Sequence, residues 1–183
     1  MVALGDVCGR GPEAAAVMGK ARATLHALAR RIESPAELLR EVNDALIMDD
    51  LGERFVTACV LRLDMDGDRH HVRIALAGHP RPVVAAPDGR GSLVGAHGPI
   101  LGVWDRVEFL ECVIELSPGD AMVAFTDGIE TRDVLAEERA MDLVRALDWS
   151  SADELADAIA GAPASSDGPA EDDVAVVALR RLR

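Results

Sequence analysis

Residues 2–15 read VALGDVCGRGPEAA, and this stretch decides how the rest of the chain is interpreted. Its apolar start, residues 2–4, is typical of a buried strand, and it leads through one glycine to Asp6. The glycine-rich residues 9–11 predict a turn, and Pro12 suits the first position of a helix, where its missing N–H costs no hydrogen bond. The stretch therefore predicts a buried strand, a tight turn beside a carboxylate, and the start of a helix.

Two amphipathic helices are predicted after this turn. Helix-forming residues with apolar positions three or four apart extend over 14–32. Ser34 then opens a capping box with a proline in the first helical turn, and the apolar pattern continues to residue 48. We therefore expect a pair of helices over residues 12–48.

The middle of the chain has the sequence period of strands. Alternating and β-rich segments separated by Gly, Pro and Asp turns predict an antiparallel region. Two further helices and a final apolar run, interpreted as a central strand, complete the chain. The order of helices, strands, helices and strand indicates an α+β fold rather than alternating βαβ units. The predicted strands are 55–63, 72–76, 82–86, 92–94, 107–116, 121–125 and 174–179, and the predicted later helices are 137–147 and 151–161.

Composition narrows the classes of function. The chain has 183 residues, 49% of them hydrophobic, and this length predicts a single domain over residues 1–183. Its formal charge of -13 repels nucleic acid and anionic membranes, so neither is an expected partner. The three cysteines lack CxxC spacing, and no apolar run reaches the roughly 18 residues of a membrane span. We therefore expect a cytoplasmic protein without a disulfide framework or a structural zinc site.

Three acidic motifs occupy equivalent positions in the predicted strands. Asp6 and Asp127 each stand where a strand ends, and Asp172 and Asp173 stand where the last strand begins. If these strands are neighbours in one sheet, the carboxylates converge at one end of it. Clustered carboxylates stay ionised only when a cation compensates them, and their hard oxygen atoms suit Mg²⁺ or Mn²⁺. A single aspartate of this kind more often caps a turn, so the hypothesis of a metal centre depends on all three motifs together.

Six ordered motifs resemble the SpoIIE-like bacterial branch of the PPM (type 2C) metal-dependent Ser/Thr protein phosphatases. The first is similar to that branch's GDVSGKGxxAA signature, and together the motifs cover nearly the whole chain. The resemblance implies a layered α-β-β-α sandwich, in which two largely antiparallel sheets are flanked by helices. The six segments are GDVCGRGPEAA at 5–15, AGHP at 77–80, GPILG at 98–102, LSPGD at 116–120, FTDGIE at 125–130 and DDV at 172–174.

The resemblance also implies the residues of the active centre. Asp6 would bridge two metal ions, Mn²⁺ or Mg²⁺, and the Val7 carbonyl would bind one of them. Asp127 and Asp172 would complete the shell of the first metal, with Asp173 as a further metal ligand. No protein nucleophile is needed, because a water molecule of lowered pKa would attack phosphorus while the metals stabilise the phosphoryl charge. Catalysis is thus expected to depend on Asp6, Asp127 and Asp172.

One departure from the family pattern concerns the second metal. The family supplies another metal-binding aspartate from a GGDxxD strand pair just upstream of the first motif, and no residue precedes Met1 in this sequence. We therefore expect either a domain truncated at its N-terminus or a natural fragment, in each case with an incomplete second metal site.

Two functions remain open. One is hydrolysis of phosphoserine or phosphothreonine on a regulatory protein, and the other is a catalytically silent module that acts as a regulatory or dimerisation partner.

The resemblance implies partners as well. It points to a phosphorylated antagonist of an anti-sigma factor as the substrate, within sigma factor regulation and the stress response. A homodimer or a fusion to a sensor domain fits this setting. In the resembling branch, the paired helices of residues 12–48 receive regulatory signals.

Two local features have competing interpretations. Residues 9–14 also fit the weak dinucleotide-binding pattern GxGxxA, but the interval in which a second strand should end in an acidic residue is predicted to be helical. His79 lies in one of the family-like loops, where it either approaches the substrate or, as is commoner for a loop histidine, hydrogen-bonds the backbone. Neither feature displaces the acidic motifs as the candidate site.

Overall fold

The structure, a computed structural model, describes residues 1–49, 51–131, 134–147, 149–161 and 173–182. These residues form two compact units, each built around one four-stranded sheet. The first unit comprises Met1–Asp64, His71–His79 and Gly95–Ile114, and the second comprises Met65–His70, Pro80–Val94 and Glu115–Arg183. Within the described ranges, the search for a helix long and apolar enough to cross a membrane found none.

Strands and helices follow one another in the predicted order. A short 3₁₀ helix, Asp127–Ile129, lies directly after the seventh strand. The elements of the described residues are β1 (Val2–Val7), α1 (Pro12–Leu28), α2 (Pro35–Met48), β2 (Val56–Asp66), β3 (Arg69–Ala77), β4 (Val83–Ala85), β5 (Gly91–Leu93), β6 (Glu111–Leu116), β7 (Ala121–Phe125), α3 (Ala136–Ala146), α4 (Ala152–Ala160) and β8 (Val176–Arg180).

The first unit combines a sheet with a helical pair. Its strands have the order β1-β2-β3-β6, and β1 pairs antiparallel with β2. Only two residues join β2 to β3, a connection that antiparallel strands can make and parallel strands cannot. One core cluster includes Leu38 and Leu46 of α2 together with Val60 of β2, all fully buried. Burying each such aliphatic side chain stabilises the fold by roughly 1.5–3 kcal/mol, so the helical pair is held mainly by this apolar contact.

The start of α2 is fixed by a polar contact as well. The Ser34 hydroxyl accepts the N–H of Glu37 at 3.2 Å, which confirms the predicted N-cap. The same hydroxyl donates to the carboxylate of Glu111 in β6 at 2.6 Å. The first turn of α2 is therefore tied to the sheet of its own unit.

Charged side chains on β2 and β3 form a small ion-pair network. Asp64 accepts from Arg73 Nε at 2.7 Å and from Arg62 Nε at 3.0 Å. The hydrogen bond from Arg73, followed by the one from Arg62, lowers the pKa of the Asp64 carboxyl below its usual range. Because the folded-state pKa lies below the unfolded-state value of about 3.9, this network stabilises the fold above that pH and loses its effect as the pH falls through the folded-state pKa.

We expect Asp64→Asn to lower the free energy of unfolding by about 0.5–1 kcal/mol at pH 7, the range of partly exposed ion pairs. The difference from wild type should shrink as the pH falls below about 4, because the wild-type carboxyl is then also losing its charge. Urea unfolding of both proteins from pH 7 to pH 2.5 measures this. Asp66→Asn, which alters an exposed acid on the same strand, is the matched control. A deficit of constant size at every pH would contradict the role of the charge.

The second unit has its own sheet, helices and core. Its strands have the order β5-β4-β7-β8, and the pairs β4–β5, β4–β7 and β7–β8 are all antiparallel. Phe125 of β7, Val144 of α3 and Leu155 of α4 are fully buried in one cluster. The predicted cap of α4 is confirmed, because the Ser151 hydroxyl accepts the N–H of Glu154 at 3.1 Å. The α+β class, with two antiparallel sheets and accompanying helices, is confirmed.

Two elements are shorter than predicted by four residues at one end, while β2 and β3 are longer than predicted by three residues at the ends that meet in their hairpin. α1 ends at Leu28 rather than at residue 32, because α1 and α2 pack together and the chain needs a short turn to reverse between them. β6 begins at Glu111 rather than at residue 107. Residues 107–110 are not in a strand; Phe109 is buried in the core of the first unit and Val107 packs against that core.

Two predictions about strand position were wrong. β1 was expected to be buried, but it lies at one end of the order β1-β2-β3-β6, and of its residues only Val7 is buried. β8 was expected to be central, but it lies at one end of its sheet over the described residues. Its apolar composition has another cause, since Val176 and Ala178 pack against the core that includes α4. A helix on one face makes an edge strand look like a central one in sequence.

Candidate active site

Asp6 lies near the end of β1 in the first unit, and its side chain is partly exposed. The antiparallel register places Asp6 directly opposite Thr57 of β2, so the two side chains share one face of the sheet. Val7 follows as the last residue of β1, and the next residue, Cys8, donates its N–H to the Phe55 carbonyl at 3.0 Å. The turn after Asp6 is therefore anchored to the segment just before β2.

Thr57 in turn contacts a buried histidine of the same unit. Its Oγ1 lies 3.0 Å from Nδ1 of His79, whose residue is only 1% exposed. His79 therefore bonds a side-chain hydroxyl, a contact that the sequence did not indicate.

The loop of His79 is held in place by a close approach of two backbones. The N–H of Gly78 donates to the Gly98 carbonyl at 3.0 Å, and Gly78 has a φ of 60°. A Cβ atom at position 78 would lie 2.3 Å from Cγ2 of Ile100, so only glycine fits. Two of the motifs quoted from the sequence, AGHP and GPILG, thus contact each other and fix His79.

Asp127 lies in the second unit, directly after the buried strand β7, with its side chain exposed. The 3₁₀ helix begins at this residue, and the Asp127 carbonyl accepts the N–H of Glu130 at 2.7 Å. The backbone of the turn is thus held by its own hydrogen bond, and the carboxylate takes no part in that bond. The side chain is therefore available for chemistry.

The neighbouring residue, Thr126, ties this turn to the second acidic segment. Its hydroxyl donates to the Asp173 carbonyl at 3.1 Å and accepts the N–H of Ala175 at 2.9 Å. The N–H of Thr126 also donates to the Ala175 carbonyl at 3.0 Å. Thr126 is buried, so these bonds are made in a site where unpaired polar groups are costly. The segment that carries Asp173 is consequently fixed beside the one that carries Asp127.

Gly128 lies against the same segment without any space for a side chain. A Cβ atom at position 128 would stand 2.3 Å from the carbonyl oxygen of Asp173 and 2.7 Å from its carbonyl carbon. These are backbone atoms, which cannot move aside as a flexible side chain can. The TDG and DD motifs are therefore in direct backbone contact.

The predicted site residues divide between the two units. The first unit carries Asp6 and Val7, and the second carries Asp127 and Asp173, with exposed side chains for both aspartates. Asp172 lies outside the described residues. The premise that all three strands are neighbours in one sheet was wrong, because β7 and β8 pair in one sheet whereas β1 belongs to the other. On one edge, the backbone hydrogen bonds of β1 are made with β2.

The donor atoms of the predicted site are all oxygen, as hard divalent cations prefer. Neither unit, over its described residues, has a group of three or more His, Cys, Asp or Glu side chains arranged to hold a metal ion. The fit of the residues to Mg²⁺ or Mn²⁺ therefore rests on their chemistry and on the contact between the Asp127 turn and the Asp173 segment.

An ion pair that the sequence did not indicate fixes another part of the second unit. The Arg81 side chain and backbone N–H both bond to Glu137 of α3, with a shortest guanidinium contact of 2.7 Å and an N–H contact of 2.8 Å. The hydrogen bond to Glu137 raises the pKa of Arg81. The two residues are 56 positions apart, and no local pattern links them. This pair holds the chain just after the AGHP motif against the start of α3.

Comparisons of this chain with a family model and with a known protein indicate the same family. The family described as Stage II sporulation protein E (SpoIIE) matches residues 1–182. The phosphoserine phosphatase RsbU of Bacillus subtilis (strain 168) is 26% identical over 129 residues, which are 70% of this chain and 38% of that protein.

Solved structures share the fold over nearly the whole chain. The RsbU and RsbW domains of Rv1364c from Mycobacterium tuberculosis match with a TM-score of 0.79 at 26% identity, covering 98% of this chain and 51% of that one. The PP2C phosphatase domain of SpoIIE from Bacillus subtilis, solved with a fragment of its regulatory domain, has a TM-score of 0.79 at 18% identity and matches the fold alone. That match covers 97% of this chain and 53% of that one.

This chain thus spans about half the length, or less, of these relatives. The family match nevertheless extends from its first residue almost to its last, and it agrees with the six motifs quoted from the sequence. The chain belongs to the SpoIIE family, within the PPM (type 2C) branch that its motifs resemble.

Proposed function

We propose that this chain provides the catalytic residues of a metal-dependent phosphatase that hydrolyses phosphoserine or phosphothreonine on a regulatory protein. The observation that carries this proposal is the bonded contact between the Asp127 turn and the Asp173 segment, which brings two acidic motifs together in the second unit. Each of the two touching segments carries an exposed aspartate, Asp127 on one and Asp173 on the other, as a cation-binding site built from oxygen ligands requires. Family membership supports the same activity.

The residues of the proposed site have separate tasks. Asp6 and the Val7 carbonyl would serve as cation ligands in the first unit, and Asp127, Asp172 and Asp173 would serve as cation ligands in the second unit. Divalent ions, when bound, neutralise phosphoryl charge and lower the pKa of water. Within the second unit, Thr126 contributes by holding the segment of Asp173 beside the turn of Asp127.

The proposed substrate is a phosphorylated protein of a partner-switching system, such as an antagonist of an anti-sigma factor. One relative, RsbU, is itself described as a phosphoserine phosphatase, and this supports the choice of phosphoserine. The alternative, a silent module that only binds a partner, keeps the fold but needs no divalent cation for its function.

Removal of the metal tests the proposal. With Mn²⁺ or Mg²⁺, the protein should release phosphate from a phosphoserine peptide, and EDTA should lower the rate by at least about 100-fold, because metal charge contributes several kcal/mol to such transition states. Added Mn²⁺ should restore the rate after EDTA. Phosphate release by malachite green, on the chain in its full natural length, measures both. Absence of turnover with every divalent ion, in a folded protein, would favour the silent module.

A further inference from the structure

We propose that His79 is a positioning residue for Asp6 and acts through the hydroxyl of Thr57. The inference rests on the proposed function, because Asp6 is a proposed metal ligand. It assigns a role to a histidine that is buried in the first unit. All three residues belong to the first unit.

The register of β1 and β2 brings Asp6 and Thr57 side by side. Asp6 and Thr57 are directly opposed in an antiparallel pair. Side chains so opposed lie on one face of the sheet, with Cβ atoms about 4.5–5.5 Å apart. At that separation a threonine hydroxyl can reach a carboxylate oxygen on the facing strand.

The ring of His79 is held rigidly beside Thr57. Nδ1 of His79 lies 3.0 Å from the Thr57 hydroxyl, and the ring is buried. Its loop is fixed on both sides, because the Gly78 backbone bridges to Ala58 of β2 and bonds to Gly98. A ring held this firmly restricts the rotamer of Thr57.

The direction of the hydrogen bond between Thr57 and His79 depends on which ring nitrogen carries the proton. If Nδ1 carries the proton, it donates to the Thr57 oxygen, and the hydroxyl hydrogen of Thr57 can be donated to the Asp6 carboxylate. If Nδ1 is unprotonated, Thr57 must donate to the ring, and only its oxygen lone pairs then face an anion. The first arrangement is favourable, because a bond donated to an ionised carboxylate is stronger than a neutral one. The chain of donors therefore runs from His79 through Thr57 to Asp6.

Such support matters for a residue that binds cations. Partners that orient metal ligands typically contribute 10–100-fold to metal affinity. A carboxylate fixed by a donated hydrogen bond presents its remaining lone pairs in a defined direction. His79 would thus contribute to metal binding without touching the metal.

The tautomer of His79 tests the proposal without any metal. In the ¹⁵N-labelled, metal-free protein, long-range ¹H–¹⁵N spectra should show a neutral His79 ring with the proton on Nδ1. The signal is assigned by its loss in His79→Asn. In addition, Thr57→Val should shift the ¹³Cγ resonance of Asp6, whereas Thr57→Ser should not. A ring protonated only on Nε2, or an unchanged Asp6 resonance in Thr57→Val, would overturn the inference.

Metal affinity provides the second measurement. Calorimetry with Mn²⁺ should show a 10–100-fold weaker affinity for Thr57→Val and His79→Gln. His79→Asn, whose amide can take the place of Nδ1, should retain most of it. Asn43→Ala is the control for lost stability, because Asn43 is fully buried and bonds only the Gly102 N–H and the Trp104 carbonyl among the contacts described for it. It should unfold more easily yet bind Mn²⁺ normally.

The outcomes separate this inference from the proposed function. A wild-type protein that fails to bind Mn²⁺ while showing the Nδ1–H tautomer and the Asp6 shift would refute the metal centre and support the hydrogen-bonded chain. If the wild type binds Mn²⁺ and both Thr57→Val and His79→Gln bind it with unchanged affinity, the positioning role is refuted. The phosphatase proposal then remains intact.

Discussion

Asp127→Asn is expected to lower metal-dependent turnover about 10³-fold while leaving the fold intact. The substitution keeps the shape of the side chain and removes its charge, so a proposed ligand of the cation loses its attraction for it. A loss of about 4 kcal/mol of transition-state stabilisation corresponds to that factor. The turn itself should persist, because its hydrogen bond joins the Asp127 carbonyl to the Glu130 N–H and does not use the carboxylate.

The measurement is phosphate release from a phosphoserine peptide over a range of Mn²⁺ concentrations, with thermal unfolding of each protein alongside. Asp88→Asn is the matched control, since it removes one charge from an exposed aspartate that is paired with Arg90 and has no part in the proposed site. The control should turn over at the wild-type rate. Equal rates for Asp127→Asn and the control would refute the proposed role of Asp127.

Gly128→Ala is expected to have the largest effect on stability, about 3 kcal/mol. The added Cβ would overlap the carbonyl group of Asp173, so the turn and the acidic segment must separate. Overpacking of this kind costs about 1–3 kcal/mol, and the hydrogen bonds of Thr126 across the same contact would weaken as well. Gly128 has an ordinary φ for any residue type, since it is absent from the glycines with positive φ, so the penalty is steric rather than conformational.

Urea unfolding measures the loss, and the melting temperature should fall by roughly 6–12 °C. Gly19→Ala is the matched control, because no atom lies within 4 Å of the added Cβ in the middle of α1. That variant should be more stable than wild type by about 0.5–1 kcal/mol, since alanine favours a helix more than glycine does. If Gly128→Ala behaved like this control, the contact between the two acidic segments would be refuted.

Local features of the fold were predictable because the residues that cause them are close in sequence. The caps at Ser34 and Ser151 involve backbone groups three residues away. The hairpin turns likewise depend on adjacent Gly, Pro and Asp residues. Which strands lie at the edges of the two sheets was not predictable in this way, since the order of strands depends on pairings between distant segments. The apolar residues of β8 correctly indicated that the strand is partly buried. They did not distinguish burial under a helix from burial beside a second neighbouring strand.

The candidate site shows the same division. Asp6 and Asp127 could be proposed from the sequence because each lies where a strand ends within a recognisable motif, Asp6 near the end of β1 and Asp127 just after β7. The contacts around them could not be predicted, because Thr57 and His79 are 22 residues apart and Thr126 and Asp173 are 47 apart. The hypothesis of a single sheet failed for the same reason, since periodicity in one strand carries no information about which other strand it pairs with.

The hydroxyl of Thr126 has a consequence for the variation that this protein can tolerate. One oxygen atom serves as donor to Asp173 and as acceptor for Ala175, so position 126 needs a short side chain that does both. Serine meets this requirement, while valine, which has the same shape as threonine, does not. In the tripeptide formed by residues 126–128, positions 126 and 128 therefore tolerate almost no substitution. A mutational library aimed at new substrates should hold positions 126 and 128 constant and diversify residues elsewhere.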